Sequence, residues 1–223
     1  MANQLTSASN YPAGFNNVTV RGVPLTQSHP GQVFWVGNAT ASVLPGHIGA
    51  SDGNPGTFAA PFSTLDYAIG RCTAGRGDII FIKPGHAETV SSATAINLDV
   101  AGVAIVGLGT GTSRPTFTFD TANTATIPVS ADNISIQNCC FVGNFLSITA
   151  AITVAAAAYF AVEKCSFTDT SAVLGFLSAI KTTVTVNADF LTFSNNYIKS
   201  DATTKSVAPI VILGTMTGLT AVG

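Results

Sequence analysis

A short pattern of alternating apolar and polar residues returns five times along the second two-thirds of the chain. Its copies begin at Asp78, Gly102, Asn133, Tyr159 and Phe190, and a partial sixth begins at Gly218. The first inward-facing positions that we align are Ile80, Val103, Ile134, Phe160 and Leu191, separated by 23, 31, 26 and 31 residues. Alternation with a period of two is typical of a strand with one buried face.

The spacing of these strands excludes the commoner all-β architectures. One strand every 23 to 31 residues is too sparse for a hairpin meander, in which turns recur about every 8–12 residues. The gaps contain further strand-like segments, at 125–129, 151–154 and 210–213, instead of the helices that a βαβ fold needs. The sequence therefore predicts an all-β chain, a right-handed parallel β-helix with two or three short strands in each coil.

Stacked coils make a prediction about individual residues. Equivalent residues of in-register coils lie about 4.8 Å apart, so each packs against its own kind. The alignment predicts two such columns, one of Cys139, Cys165 and Asn196 and one of Phe141, Phe167 and Ile198. The four cysteines have no C-x-x-C spacing, and we interpret them as buried free thiols.

The open ends of a β-helix have to be covered, because they expose unpaired backbone groups and the apolar interior. Ser63 as N-cap and Asp66 at N3 predict a capping helix over 63–74, whose apolar stripe is Leu65, Ala68, Ile69 and Cys72. We divide the chain into an extended N-terminal arm (1–32), a leading segment (33–77) that contains this helix, and the β-helix coils (78–223). No comparable cap follows the apolar run 207–213, so either the last coil is short or another subunit or a partner covers it.

Composition limits the partners. Charged residues make up 9% of the chain, against roughly 25% in ordinary soluble domains. The formal net charge is −2 and Lys and Arg form no run, which disfavours nucleic acid as a partner. The sequence shows no N-terminal signal, and its most apolar stretch, 148–162, is too short to span a bilayer. We expect synthesis in a cytoplasm and no membrane partner.

The titratable residues do not form a recognisable catalytic set. The eleven acids are spread singly, and Asp132, Asp169 and Asp189 fall at turn edges, where aspartate commonly accepts hydrogen bonds from backbone amides. A lyase site would require Asp169, Asp189 and Lys181 to converge on one face. His86 and the two other histidines lie beside Pro or Gly in predicted loops, without metal-ligand spacing. We predict no catalytic residue, no cofactor and no metal.

Two stretches carry a family resemblance. The segment 49–71, followed by 77–86 with its Gly-Asp, hydrophobic strand and Pro-Gly turn, resembles the start of pectin-lyase-like β-helices. The resemblance covers about 33–213 and implies the fold. The acidic and basic residues that active pectate lyases and polygalacturonases share have no counterparts here, which argues against that activity.

The chain more closely resembles the short β-helix proteins of tailed-bacteriophage virions, of the capsid decoration or cement type. That resemblance implies a homotrimer on the capsid surface of a virion, with the major capsid protein as partner and the arm gripping the capsid lattice. The candidate partner-binding residues of the arm are Tyr11, Phe15, Val18 and Val20.

An alternative function stays open, a tailspike- or fibre-type module that binds a receptor or glycan. It requires exposed aromatic residues from successive coils, for which the candidates are Tyr67, Tyr159 and Tyr197. Polysaccharide lyase or hydrolase activity is a weaker alternative, because the acids are scattered.

Overall fold

The structure of the chain is a computed structural model, which describes residues 31–39, 46–184, 188–201 and 208–222, together with the backbone of 19–20 and 23–24. Predictions that concern other residues lie outside this part of the chain. Among the described residues, no helix has the length and apolar character needed to cross a membrane.

Three parallel sheets form the body of the protein. Sheet I contains seven strands: β3 (Val33–Val36), β4 (Ile79–Ile82), β6 (Ala104–Gly107), β9 (Ser135–Gln137), β12 (Ala161–Glu163), β15 (Leu191–Ser194) and β18 (Leu219–Val222). Sheet II contains five: β5 (Ala87–Thr89), β7 (Thr116–Phe119), β10 (Cys140–Gly143), β13 (Ser166–Asp169) and β16 (Tyr197–Lys199). Sheet III contains four: β8 (Ile127–Val129), β11 (Ile152–Val154), β14 (Ile180–Thr182) and β17 (Ile210–Val211).

The chain visits the three sheets in turn, so that each strand pairs with its equivalent in the next coil. This order makes the fold an all-β parallel β-helix, as predicted. Apolar residues at alternate strand positions face inward, and in sheet III the register aligns Ile127, Ile152, Ile180 and Ile210. Such columns fill the core that the three sheets enclose.

Both predicted columns are confirmed. Phe141 pairs in register with Phe167, and Phe167 pairs with Ile198. In the second column the Cys139 amide donates to Cys165 Sγ at 3.4 Å, and the Cys165 amide donates to Asn196 Oδ1 at 2.8 Å. The small and amide side chains thus satisfy backbone groups at a corner between two sheets.

The predicted alignment is wrong by two residues at its first copy. Ile80 pairs with Ile105, so the residue equivalent to Val103 is Asp78. Asp78 is fully buried, and its carboxylate accepts hydrogen bonds from the Arg76 guanidinium at 2.6 and 2.7 Å. The alignment identified inward-facing positions by their apolar residues, so it missed this one, which an ion-paired acid occupies.

The same carboxylate connects the first coils. It also accepts from the backbone amides of Thr73 at 2.7 Å and Gln32 at 2.6 Å. Burial alone would raise the pKa of Asp78, but these hydrogen bonds and the Arg76 charge outweigh it and lower the pKa below its ordinary value of 3.8.

The capping helix is shorter than predicted. It is α1 (Leu65–Gly70), and its N-cap is Thr64 rather than Ser63. The amides of Ser63 and Thr64 both donate to Asp52 Oδ1, at 2.9 and 3.1 Å, which holds Ser63 outside the helix. The helix ends at Gly70 rather than near 74, because glycine disfavours continuation of a helix.

The predicted packing face of α1 is confirmed. Leu65, Ala68 and Ile69 are buried in the core, and Cys72 is partly buried against it. The helix contacts β3 and β4, the first two strands of sheet I. Asp66 does not close a capping box. Its carboxylate accepts from the Asn97 amide at 2.8 Å instead.

The two ends of the chain differ from the coils. Within the predicted arm, β1 (Thr19–Val20) and β2 (Val23–Pro24) pair in an antiparallel hairpin. At the other end, all four residues of β18 are exposed, although β15 pairs with this strand in register. The prediction that a subunit or partner covers this coil stays a prediction.

Candidate functional site

The acids at the turn edges bind backbone amides, as predicted. Asp132 Oδ1 accepts from the Ala158 amide at 2.7 Å, and Asp189 Oδ1 accepts from the Thr217 amide at 2.6 Å. In each case the donor belongs to the next coil. These carboxylates therefore connect consecutive coils at a turn where backbone amides would otherwise lack an acceptor.

This use of carboxylates extends through the protein. Within the described part of the chain, seven of the eleven acids accept a hydrogen bond from a backbone amide: Asp52, Asp66, Asp78, Glu88, Asp132, Asp169 and Asp189. The lowered pKa values among them belong to Asp52 and Asp78. At Asp52, burial opposes ionisation, but the hydrogen bonds from Ser63 and Thr64 outweigh it and lower the pKa. Both groups are anions at neutral pH and cannot act as proton donors there.

The three residues that a lyase site would need do not come together. Asp169 ends β13 in sheet II, where its carboxylate accepts from the Phe176 amide at 2.9 Å. Asp189 lies at the turn before β15 of sheet I, and Lys181 is the middle residue of β14 in sheet III. Two of them belong to different sheets and the third lies in a turn, so no one sheet presents all three.

His86 lies in the loop before β5, as predicted, and its side chain is buried. Its Nε2 lies 3.0 Å from Glu88 Oε2, and that oxygen also accepts from the Leu65 amide at the start of α1 at 3.0 Å. His86 Nδ1 is buried and has no hydrogen-bond partner among the described residues. The pair ties the capping helix to the first strand of sheet II, which the sequence did not reveal.

The cysteines are unpaired, and two of them, Cys139 and Cys165, are buried. Burial raises the pKa of Cys165 and of the half-buried Cys72 to about 12, and it raises that of Cys139 well above its ordinary range. Such thiols stay protonated and are poor nucleophiles. Among the described residues, no group of three His, Cys, Asp or Glu side chains could hold a metal ion.

One turn of the β-helix has a left-handed backbone in six successive coils. It is the turn that precedes the strands of sheet I from β4 to β18, and its equivalent residues all have positive φ: Gly77, Gly102, Asn133, Tyr159, Phe190 and Gly218. Glycine and asparagine tolerate this conformation. For other residues it costs roughly 1–2 kcal/mol, so Tyr159 and Phe190, at φ of 59° and 57°, are strained.

The two strained aromatic side chains stack on each other at the surface. Their ring centroids are 4.7 Å apart with an interplanar angle of 9°. Tyr159 is 54% exposed and Phe190 is 45% exposed. We call Tyr159 and Phe190 the aromatic pair. It is the best candidate for a binding site on the described surface, because it combines backbone strain, exposed apolar rings and a fixed geometry.

Sequence reasoning found half of this site. Tyr159 is one of the three aromatic candidates from the sequence, and the repeat itself indicates its partner, since the aligned copies begin with Asn133, Tyr159 and Phe190. The other two tyrosines do not join it. Tyr67 packs against Phe62 with centroids 5.1 Å apart, and Tyr197 projects from sheet II.

The predicted partner-binding residues of the arm are not tested. Tyr11, Phe15 and Val18 lie outside the described residues, and Val20 is described only as backbone in β1. Their role stays a prediction.

Comparison with known proteins finds few similar proteins. No protein-family model matches the chain, and no curated protein is significantly similar to it. One similar solved structure is a rhamnogalacturonan lyase, with a TM-score of 0.46 and 16% sequence identity over 86% of this chain. The chain covers 62% of that lyase, less than two thirds of its length. The parallel β-helix itself is established by the register of the strands in the three sheets.

Proposed function

We propose that the chain is a structural component of a larger assembly rather than an enzyme. In its most specific form, it is a capsid decoration protein that binds the outer surface of a phage head as a homotrimer, with the major capsid protein as partner. The observation that supports this proposal best is the use of the carboxylates, seven of which hold backbone amides of the protein itself.

Enzymes that cleave glycans need the opposite arrangement. A glycosidase uses two carboxyl groups on either side of the scissile bond, one of them with a raised pKa so that it can donate a proton. Here the shifted carboxyl groups, those of Asp52 and Asp78, have lowered pKa values, and their oxygens accept hydrogen bonds from the protein itself. Carboxylates that accept hydrogen bonds from the protein's own groups favour a structural role.

The core favours the same role. Three Phe side chains, Phe117, Phe141 and Phe167, stack through consecutive coils with centroids 5.7 and 4.8 Å apart. In-register stacking of this kind joins each coil only to its neighbours and yields a stiff rod. A rigid body attached through an N-terminal arm is what the resemblance to virion decoration proteins implies.

The arm provides the direct test of the capsid proposal. Virions that contain this chain are compared with virions that contain a variant with Tyr11, Phe15, Val18 and Val20 all replaced by Ser. Quantitative mass spectrometry should give the natural chain in a fixed ratio to the major capsid protein, and the variant should be lost from the particle although it folds. Retention of the variant would contradict the assignment of the arm, and absence of the natural chain from virions would contradict the capsid location.

A second candidate function, a receptor- or glycan-binding module of the tailspike or fibre type, is favoured by one observation. The aromatic pair exposes two rings from successive coils. Incubation of the chain with a panel of polysaccharides separates binding from turnover, because new reducing ends or unsaturated products would indicate an enzyme and contradict both candidates.

A further inference from the structure

The aromatic pair occupies a turn at which the backbone favours other residues. Three of the six equivalent positions are glycine and one is asparagine, all with positive φ. Tyr159 and Phe190 are the bulky exceptions, in two consecutive coils. Strain that the surroundings hold in place is found preferentially at functional sites.

The surrounding hydrogen bonds hold both residues in this conformation. The Tyr159 amide donates to the Asp189 carbonyl at 2.8 Å, and the Phe190 amide donates to the Thr217 carbonyl at 2.8 Å. On either side, the carboxylates of Asp132 and Asp189 bind amides of the following coils. The ring positions are therefore fixed before any ligand binds, which lowers the entropy lost on binding.

The two rings differ in what covers them. A Cβ atom at Gly218 would lie 2.9 Å from Phe190 Cδ1, so the backbone of the last coil already packs against this ring. Phe190 in turn covers one face of Tyr159. The opposite face of the Tyr159 ring is directed toward the preceding coil, where the equivalent residue is the exposed Asn133.

The polar groups beside this face indicate the class of ligand. The Asn133 amide can donate and accept, and Asp132, also exposed, uses Oδ1 for the Ala158 amide while Oδ2 has no protein partner in the described structure. A flat apolar surface beside an amide and a carboxylate suits a ring with a C–H face and hydroxyl groups at its edge.

The charge around the aromatic pair narrows the class of ligand. The charged residues next to Asn133, Tyr159 and Phe190 in sequence are Asp132 and Asp189, both acids. They would repel a uronate, a sialic acid or a nucleotide phosphate. We propose that Tyr159, supported by Phe190, is a stacking platform for a neutral saccharide ring, whose hydroxyl groups bind Asn133 and Asp132.

This inference deepens the glycan-binding candidate and does not depend on the capsid role. The oligomeric mass and the presence in virions test the capsid role, and neither measurement involves the aromatic pair. Binding of an acidic glycan elsewhere on the chain would leave the glycan-binding candidate standing and overturn this inference alone.

The test uses the full chain and isothermal titration with two sets of hexasaccharides. One set is neutral (gluco-, galacto- and manno-oligosaccharides, with and without N-acetyl groups), and the other contains uronates. The variants Tyr159→Asn and Phe190→Gly place in each coil a residue that the same column already contains, so the backbone stays compatible with positive φ. Tyr197→Asn, at an exposed tyrosine of sheet II, is the matched control.

We expect at least one neutral hexasaccharide to bind, at least tenfold weaker binding by Tyr159→Asn, a smaller loss in Phe190→Gly and no change in Tyr197→Asn. Absence of binding by every neutral saccharide at millimolar concentration would overturn the inference. So would equal affinity in Tyr159→Asn or a preference for the uronate set. A change in oligomeric mass caused by Tyr159→Asn would show that the pair is a contact between copies of the chain, and it would overturn the inference as well.

Discussion

The rings of Phe141 and Phe167 stack with their centroids 4.8 Å apart and an interplanar angle of 16°. The distance equals the separation of adjacent strands, because the two residues are directly paired in sheet II. A side chain in this column therefore supports both the coil before it and the coil after it, and its loss should affect the protein more than the loss of an exposed ring.

Replacement of Phe141 by Ala tests this. The ring is buried between two others, so the variant leaves a cavity that neighbouring coils cannot fill without breaking register. We expect a loss of about 3–5 kcal/mol in the free energy of unfolding, measured by urea denaturation. Tyr197→Ala removes an exposed ring of the same sheet and should change stability by less than about 0.5 kcal/mol. Equal effects of the two variants would contradict the stacked core.

The carboxylates that connect coils predict a second pair of variants. In Asp189→Ala the Thr217 amide loses its acceptor, and we expect a loss of about 1–3 kcal/mol in the free energy of unfolding. Asp189→Asn keeps an acceptor oxygen without the charge, and the loss should be smaller. If Asp189→Asn is as destabilising as Asp189→Ala, the charge and not the hydrogen bond holds the two coils together.

Stability should fall in acid. The pKa of Asp78 and that of Asp52 are lowered in the folded state, below the ordinary value of 3.8. The unfolded chain then binds more protons than the folded chain as the pH drops, so the stabilisation is complete above 3.8 and is lost as the pH falls through the folded-state pKa values. Urea midpoints measured from neutral pH downward should decline in this window, and Asp78→Asn should decline less. An equal decline in Asp78→Asn would remove Asp78 as a cause.

The thiols should differ in reactivity. Cys139 and Cys165 are buried, and burial raises the pKa of Cys165 to about 12. Iodoacetamide should therefore modify the half-buried Cys140 first in the folded chain and leave Cys139 and Cys165 unmodified until the protein unfolds. Peptide mapping by mass spectrometry reads the sites directly, with the urea-unfolded chain as the control in which all four react. Early modification of Cys165 would contradict its burial.

The aromatic pair should contribute little to stability. Tyr159→Asn loses an exposed stack worth about 0.5–1.5 kcal/mol and relieves a left-handed backbone that costs a bulky residue about 1–2 kcal/mol. The two effects nearly cancel, and we expect the urea midpoint to stay close to that of the natural chain. A large fall would mean that the pair supports the fold, and the argument from strain would not hold.

The fold could be predicted because its physical cause repeats. Each coil must bury the same face, so alternation and spacing returned at every copy and gave the columns of Phe141 and Cys139 correctly. The prediction was wrong at the N-cap of the helix and at the first copy of the repeat, because in both places another residue determines the local structure. The Asp52 carboxylate, eleven residues before Ser63, moves the N-cap to Thr64, and Arg76 allows Asp78 to occupy an inward-facing position.

The candidate site was harder to predict for a different reason. Backbone conformation does not follow from residue type when a residue is strained, and Tyr159 and Phe190 are residues that rarely adopt positive φ. The alignment placed them in one column, yet only the register of β12 with β15 shows that their rings meet. Glu88 likewise connects His86, in a predicted loop, to the Leu65 amide of the predicted capping helix. Leu65 is far from both residues in sequence, so no local sequence pattern indicates the contact.

The oligomeric mass of the full chain tests the central claim, that this β-helix is a structural component of an assembly, most directly. Native mass spectrometry at micromolar concentration should give a species of three times the 22.7 kDa chain mass. A monomer at every concentration tested would contradict the homotrimer and with it the proposed place of the protein on a capsid.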